Sequence, residues 1–166
     1  MSNGYNIRMN ITAEQIINEA ENTRQAREEE GNFFQYNLRY PVGSGRYVIS
    51  IALGEGMYCS PRERFAIPSL YDSVEVAIHD TKSDSNIMSL SEIEATFGDE
   101  VARHCETYGY KFMDDEDENF SAYTCGVVMP YVEWKDVARI ANVISTVEKA
   151  SAPSPSDWND EECQPF

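Results

Sequence analysis

The stretch Phe34-Gln35-Tyr36-Asn37-Leu38-Arg39-Tyr40, with Pro41-Val42-Gly43-Ser44-Gly45 and then Arg46-Tyr47-Val48-Ile49-Ser50-Ile51-Ala52-Leu53, decides the fold. Phe34, Tyr36, Leu38 and Tyr40 alternate with Gln35, Asn37 and Arg39. Successive side chains of a strand point to opposite faces, so this period of two predicts a half-buried strand. Pro41 to Gly45 has the composition of a turn. Tyr47, Ile49, Ile51 and Leu53 then repeat the alternation. Two such runs around a short turn predict an antiparallel hairpin.

The segments that follow extend the sheet. Gly54-Glu55-Gly56 predicts a bulge or bend, after which Met57-Tyr58-Cys59 is expected to resume the second strand. Ser60 to Leu70 contains Pro61 and Pro68 and is read as a loop. Arg62 and Arg64 make it the most basic local segment of the chain. Val74, Val76 and Ile78 predict a third strand, closed by the polar turn Asp80 to Ser85. Ala122 to Met129 is expected to form another short strand.

Three helices are expected. Thr12 and Gln15 have capping-box spacing, with Ile11 and Ile16 placed as a hydrophobic staple. Ile16, Ile17 and Ala20 supply only a narrow apolar face, so this helix should lie at the surface. Glu28-Glu29-Glu30 is expected at its C-terminal end, with Gly31 as the stop. Ser89 and Glu92 repeat the capping spacing. Ile93, Phe97, Val101, Cys105 and Tyr108 give the second helical region one apolar face, which Gly98-Asp99 can split in two. Pro130 is expected to open the third helix. Its stripe of Trp134, Val137, Ala138, Ala141, Ile144 and Val147 is the most regular in the chain and should be the best buried.

These elements imply a single α+β domain over residues 1–150, followed by a polar Pro/Ser/acidic tail over 151–166. An antiparallel sheet of three to five strands should be packed by two or three helices, mainly the second and third. Leu38, Ile49, Ile51, Val74, Val76, Ile78, Val101, Val137 and Ile144 are the expected core. With 166 residues and 42% apolar composition, the chain is large and apolar enough to fold around one core.

Charge narrows the function classes. The chain has 29 acidic and 13 basic residues, a net charge of −16. Such a field repels nucleic acid and anionic membranes and attracts basic surfaces. Direct DNA or RNA binding needs clustered Lys and Arg, so neither is expected as a partner. No apolar run is long enough to span a membrane. The N-terminus lacks a basic-then-apolar signal, and Cys59, Cys105, Cys125 and Cys163 form no C-x-x-C pair. Free thiols in the cytoplasm are therefore expected.

Chemistry-bearing patterns are sparse. His79, Asp80, His104, Cys59, Cys105 and Cys125 are the eligible metal ligands, but none forms the close pair typical of zinc sites. Asp115, Asp117 and Asn119 match the first odd positions of a calcium loop. Phe120 then stands where glycine is needed, and Gly126 where the closing glutamate is needed. Cys125 with His79 or His104 is the available nucleophile–base pairing, and no spacing selects it. Gly43-Ser44-Gly45 lacks the ending of a phosphate loop. No catalytic residue, cofactor or metal is assigned, and the protein is expected not to be an enzyme.

The carboxylates fall into groups: Glu28, Glu29 and Glu30; Asp114, Asp115, Glu116, Asp117 and Glu118; and Asp157, Asp160, Glu161 and Glu162. Rows of carboxylates on a folded scaffold can imitate duplex phosphates and fill the cationic cleft of a nucleic-acid enzyme. The alternative for each group is a solvated face. In size and acidity the chain is similar to small phage-encoded inhibitors of host defence, the anti-CRISPR and anti-restriction proteins; no motif carries this similarity. Trp158 and Phe166 stand in the polar tail, where an aromatic can anchor into a partner's pocket. The loop from Cys59 to Arg64 is a second expected contact. The reading is a small acidic binding protein, an inhibitor of a basic nucleic-acid-handling enzyme. A non-catalytic adaptor or subunit is second, and an enzyme built around Cys125 or His79 third.

Overall fold

The computed structural model describes residues 10–23, 34–83, 87–103 and 126–151. In chain order they form α1 (Ala13–Glu19), β1 (Glu21–Asn22), β2 (Phe34–Val42), β3 (Tyr47–Gly54), a 3-10 turn (Pro68–Leu70), β4 (Ser73–Asp80), α2 (Leu90–Phe97), β5 (Val128–Glu133) and α3 (Trp134–Ser151). A further helical stretch occupies 99–103. The strands make one antiparallel sheet in the order β1-β2-β3-β4-β5. The fold is α+β, as its alternation and helical stripes imply.

The hairpin forms in the register its apolar positions require. Leu38 faces Ile51, Tyr40 faces Ile49 and Val42 faces Tyr47. β4 continues the pattern, with Ile78 opposite Ile49 and Val76 opposite Ile51. This shared face meets α3 and α1. Every expected core residue is buried. The inner strands are not half-buried, however. Val48, Ala52, Ala77 and His79 on the opposite face are buried too. The run Tyr47–Leu53 is apolar at nearly every position, and near-continuous apolar strands suit burial on both faces.

α3 carries the best-buried stripe: Val137, Ala138, Ile140, Ala141 and Ile144 are all within 4% of full burial. α2 packs against α3, and Phe97 meets Tyr47 edge-on at 4.8 Å between centroids. Its capping box is complete, with Ser89 and Glu92 exchanging backbone hydrogen bonds. Gly98 ends α2 at φ 87°, a left-handed value that glycine adopts without a Cβ penalty.

Three further expectations are corrected. α1 stops at Glu19 instead of running towards Glu30: Ala20 turns extended, and Glu21–Asn22 pair with Arg39 and Leu38. A longer α1 would have little apolar surface to bury, whereas pairing satisfies backbone groups along β2. Met57–Cys59 does not resume the strand; only Ser60 bridges, to Ser73. Pro130 lies inside β5 rather than at the start of a helix, and α3 begins at Trp134. A proline is tolerated there because β5 is the last strand of the sheet and carries a bulge. The expected strand at 122–129 therefore shifts towards Val128–Glu133, its residues 122–125 lying outside the described set.

Candidate functional site

At the end of the sheet where β3 closes and β4 opens, a small set of side chains is held in place by backbone hydrogen bonds. Gly54 ends β3, and Met57 N–H donates back to the Gly54 carbonyl at 3.1 Å. Cys59 then tucks inward. Its sulfur accepts from Gly54 N–H at 3.4 Å, donates to Gly54 O at 3.2 Å, and is 1% exposed. Burial pushes this thiol's pKa up, which disfavours its thiolate.

This anchoring leaves Tyr58 facing out. Its N–H donates to Glu75 Oε2 at 3.1 Å, and its carbonyl accepts from Tyr131 N–H at 2.9 Å. Glu75 lies on β4, and Tyr131 on β5. Val74 pairs with Val132 and Val76 with Met129, so Pro130 and Tyr131 together oppose the single residue Glu75. This is a β-bulge, and Tyr131 takes the left-handed conformation at φ 54°. For a bulky side chain that conformation costs on the order of 1 kcal/mol, held by the surrounding pairing. The bulge brings the Tyr131 ring to 6.2 Å from that of Tyr58, at 85°. Arg62 places its guanidinium 4.8 Å from the Tyr58 centroid while its Nε donates to Met57 O at 3.1 Å.

Glu75 is the one perturbed carboxylate here. Partial burial raises its pKa, against the Tyr58 N–H and the charge of Arg62, which lower it. Its Oε1 makes no hydrogen bond among the described residues. Tyr58 and Tyr131 are 36% and 42% exposed, so two aromatic rings, a guanidinium and a partly desolvated carboxylate form one accessible patch. Tyrosine and arginine are the residue types most often found at binding hot spots.

The rest of the loop is pinned to the core. Tyr71 is buried; its hydroxyl donates to Glu63 O at 2.6 Å and accepts from Phe65 N–H at 3.2 Å, and Trp134 Nε1 donates to Tyr71 O at 2.9 Å. Tyr36 hydroxyl donates to Ala66 O. Ile67 and Leu70 are left about half exposed beside α1. Arg64 pairs with Glu55 at 3.5 Å.

A concavity of about 770 Å³ lies at the opposite end of the sheet, between the β2–β3 turn, Thr81–Lys82, the end of α2 and Glu148 of α3. Its charges are largely matched internally. Arg46 Nε and Nη2 bond both oxygens of Asp80 at 3.2 Å, and this hydrogen bonding holds the Asp80 carboxyl below its usual range. The Glu148 carboxylate accepts from the Ser44 N–H and hydroxyl. The Gly43-Ser44-Gly45 turn thus holds an anion, but one supplied by its own chain.

The expected partner-binding residues Glu28, Glu29, Glu30, Asp114, Asp115, Glu116, Asp117, Glu118, Trp158, Asp160, Glu161 and Glu162 all lie outside the described residues, as do His104, Cys105 and Cys125. Among the described residues no group of three His, Cys, Asp or Glu side chains is placed to hold a metal, and no helix is long and apolar enough to cross a membrane. The Cys59–Arg64 loop expected as a contact is described, and Arg62 is its member in the patch. Tyr58, Glu75 and Tyr131 were not legible as site residues. Each looks ordinary in its own segment; the bulge, two hydrogen bonds of the Tyr58 backbone and the ring contact join them. Comparison with family models, curated proteins and solved structures finds no match for this chain.

Proposed function

We propose that this protein is a small acidic binding protein that inhibits a basic, nucleic-acid-handling enzyme by presenting carboxylates in place of phosphates. The observation that carries the reading is the net charge of −16 on a chain of 166 residues. A field of that sign raises the encounter rate with a cationic cleft and disfavours nucleic acid itself. The exposed Tyr58–Arg62–Tyr131 patch supports protein recognition, since it offers rigid aromatic area on a pinned scaffold. The size and acidity shared with phage-encoded inhibitors of host defence point the same way. The cytoplasm, where nucleic-acid enzymes and reduced thiols coexist, is the proposed compartment.

The protein should bind a basic nuclease or glycosylase, block its action on duplex DNA, and lose affinity steeply as salt rises. Converting Asp114–Glu118 to Asn and Gln should weaken inhibition about tenfold or more. Competitive inhibition assays at two ionic strengths measure both effects. Undiminished inhibition by the neutralised variant would remove phosphate mimicry. A second reading, a non-catalytic adaptor or subunit, is favoured by the half-exposed Ile67 and Leu70. Under that reading the protein co-purifies with a complex whose assembly is insensitive to salt.

A further inference from the structure

We propose that the Tyr58–Tyr131–Glu75 patch is an arginine-binding site, which anchors the complex by taking one arginine side chain of the basic partner. The proposal rests on the binding role above and adds the place of contact and the residue it recognises.

Three observations carry it. First, the patch already binds a guanidinium of its own chain: Arg62 lies 4.8 Å from the Tyr58 centroid. A tyrosine face attracts a planar cation through the negative potential of its π-system. The Tyr131 ring stands nearly perpendicular to Tyr58, is 42% exposed, and carries no cation of this chain among the described residues. Second, Glu75 lies directly across the bulge from Tyr131, with Oε2 held by Tyr58 N–H and Oε1 left without a hydrogen bond among the described residues. Glu75 Oε2 and Tyr131 N–H both bond the backbone of Tyr58, so the carboxylate and Tyr131 are gathered about one residue. Glu75 is also partly desolvated, which strengthens its attraction for a cation. Third, Tyr131 holds a left-handed conformation, φ 54°, that a tyrosine rarely adopts. The bulge buries Pro130 and turns the Tyr131 ring outward beside Tyr58. Arginine is favoured over lysine because its planar head can stack and hydrogen-bond at once.

The test is an NMR titration of the full chain with a capped peptide of alternating glycine and arginine, and with the same peptide carrying lysine or citrulline. The arginine peptide should shift the ring resonances of Tyr58 and Tyr131 and the amide of Tyr58. Citrulline keeps the shape and removes the charge, so it should bind about tenfold more weakly or not at all. Tyr131→Gly removes the ring and suits the left-handed backbone, and Glu75→Gln keeps the acceptor without the charge. Each should weaken the arginine peptide about tenfold while the amide spectrum stays folded. Equal affinity for the citrulline peptide, or wild-type affinity in both variants, overturns the site. So do shifts confined to Asp114–Glu118, although the inhibitor reading would then survive. Conversely, arginine-dependent shifts at both tyrosines support the site even if the enzyme assay shows no inhibition.

Discussion

Glu75 shows how one residue can carry both a cost and a use. Burial raises its carboxyl pKa above the ordinary value, so the folded state favours the protonated form. Stability from this group is therefore fully present at acidic pH and is lost as pH rises through the raised folded value. Glu75→Gln retains an oxygen for the Tyr58 N–H and removes the ionisation. The variant should be more stable than the parent near pH ~7, and the difference should shrink near pH ~4. Urea denaturation at the two pH values measures it. A loss of stability near neutral pH would mean that attraction to Arg62 outweighs desolvation.

Among the elements, α2 is the one whose limits are written most locally. Ser89 and Glu92 satisfy each other's backbone donors at its start, and Gly98 turns the chain at its end. Ser89→Ala removes one half of the box and should cost about 1 kcal/mol, read from the denaturant midpoint. α1 and β5 behave differently. α1 has a sound N-cap at Thr12, yet its length is set by β1 pairing with β2. β5 includes a proline and a left-handed tyrosine that read as helix-opening and ordinary in the sequence. Both outcomes depend on a neighbouring strand, which periodicity within the segment does not encode.

In the molecule as a whole, long-range polar contacts tie the segment before α1 to α3. Asn142 on α3 is buried and accepts from Ile11 N–H at 3.1 Å. Its amide also donates to Ile11 O and Ala138 O, each at 2.8 Å. Asn142→Ala would leave both polar groups of Ile11 without this partner and should destabilise the protein by about 2 kcal/mol. Hydrogen exchange should show the loss first in α1, since Ile11 sits just before its N-cap. Uniform loss across the sheet would show instead that α1 and the sheet unfold as one unit.

The amino-acid sequence alone determined the hairpin, β4, the apolar stripe of α3, the cap of α2 and the acidic field. All of these arise from local periodicity, nearest-neighbour hydrogen bonding or simple charge. The tertiary structure alone decided where α1 ends, that Pro130 belongs to a strand, and that Tyr58, Glu75 and Tyr131 share one patch. Those outcomes depend on which strand lies beside which and on a one-residue bulge between them. A backbone hydrogen bond joins Tyr58 in the loop after β3 to Tyr131 on β5, and no pattern within either segment specifies that contact.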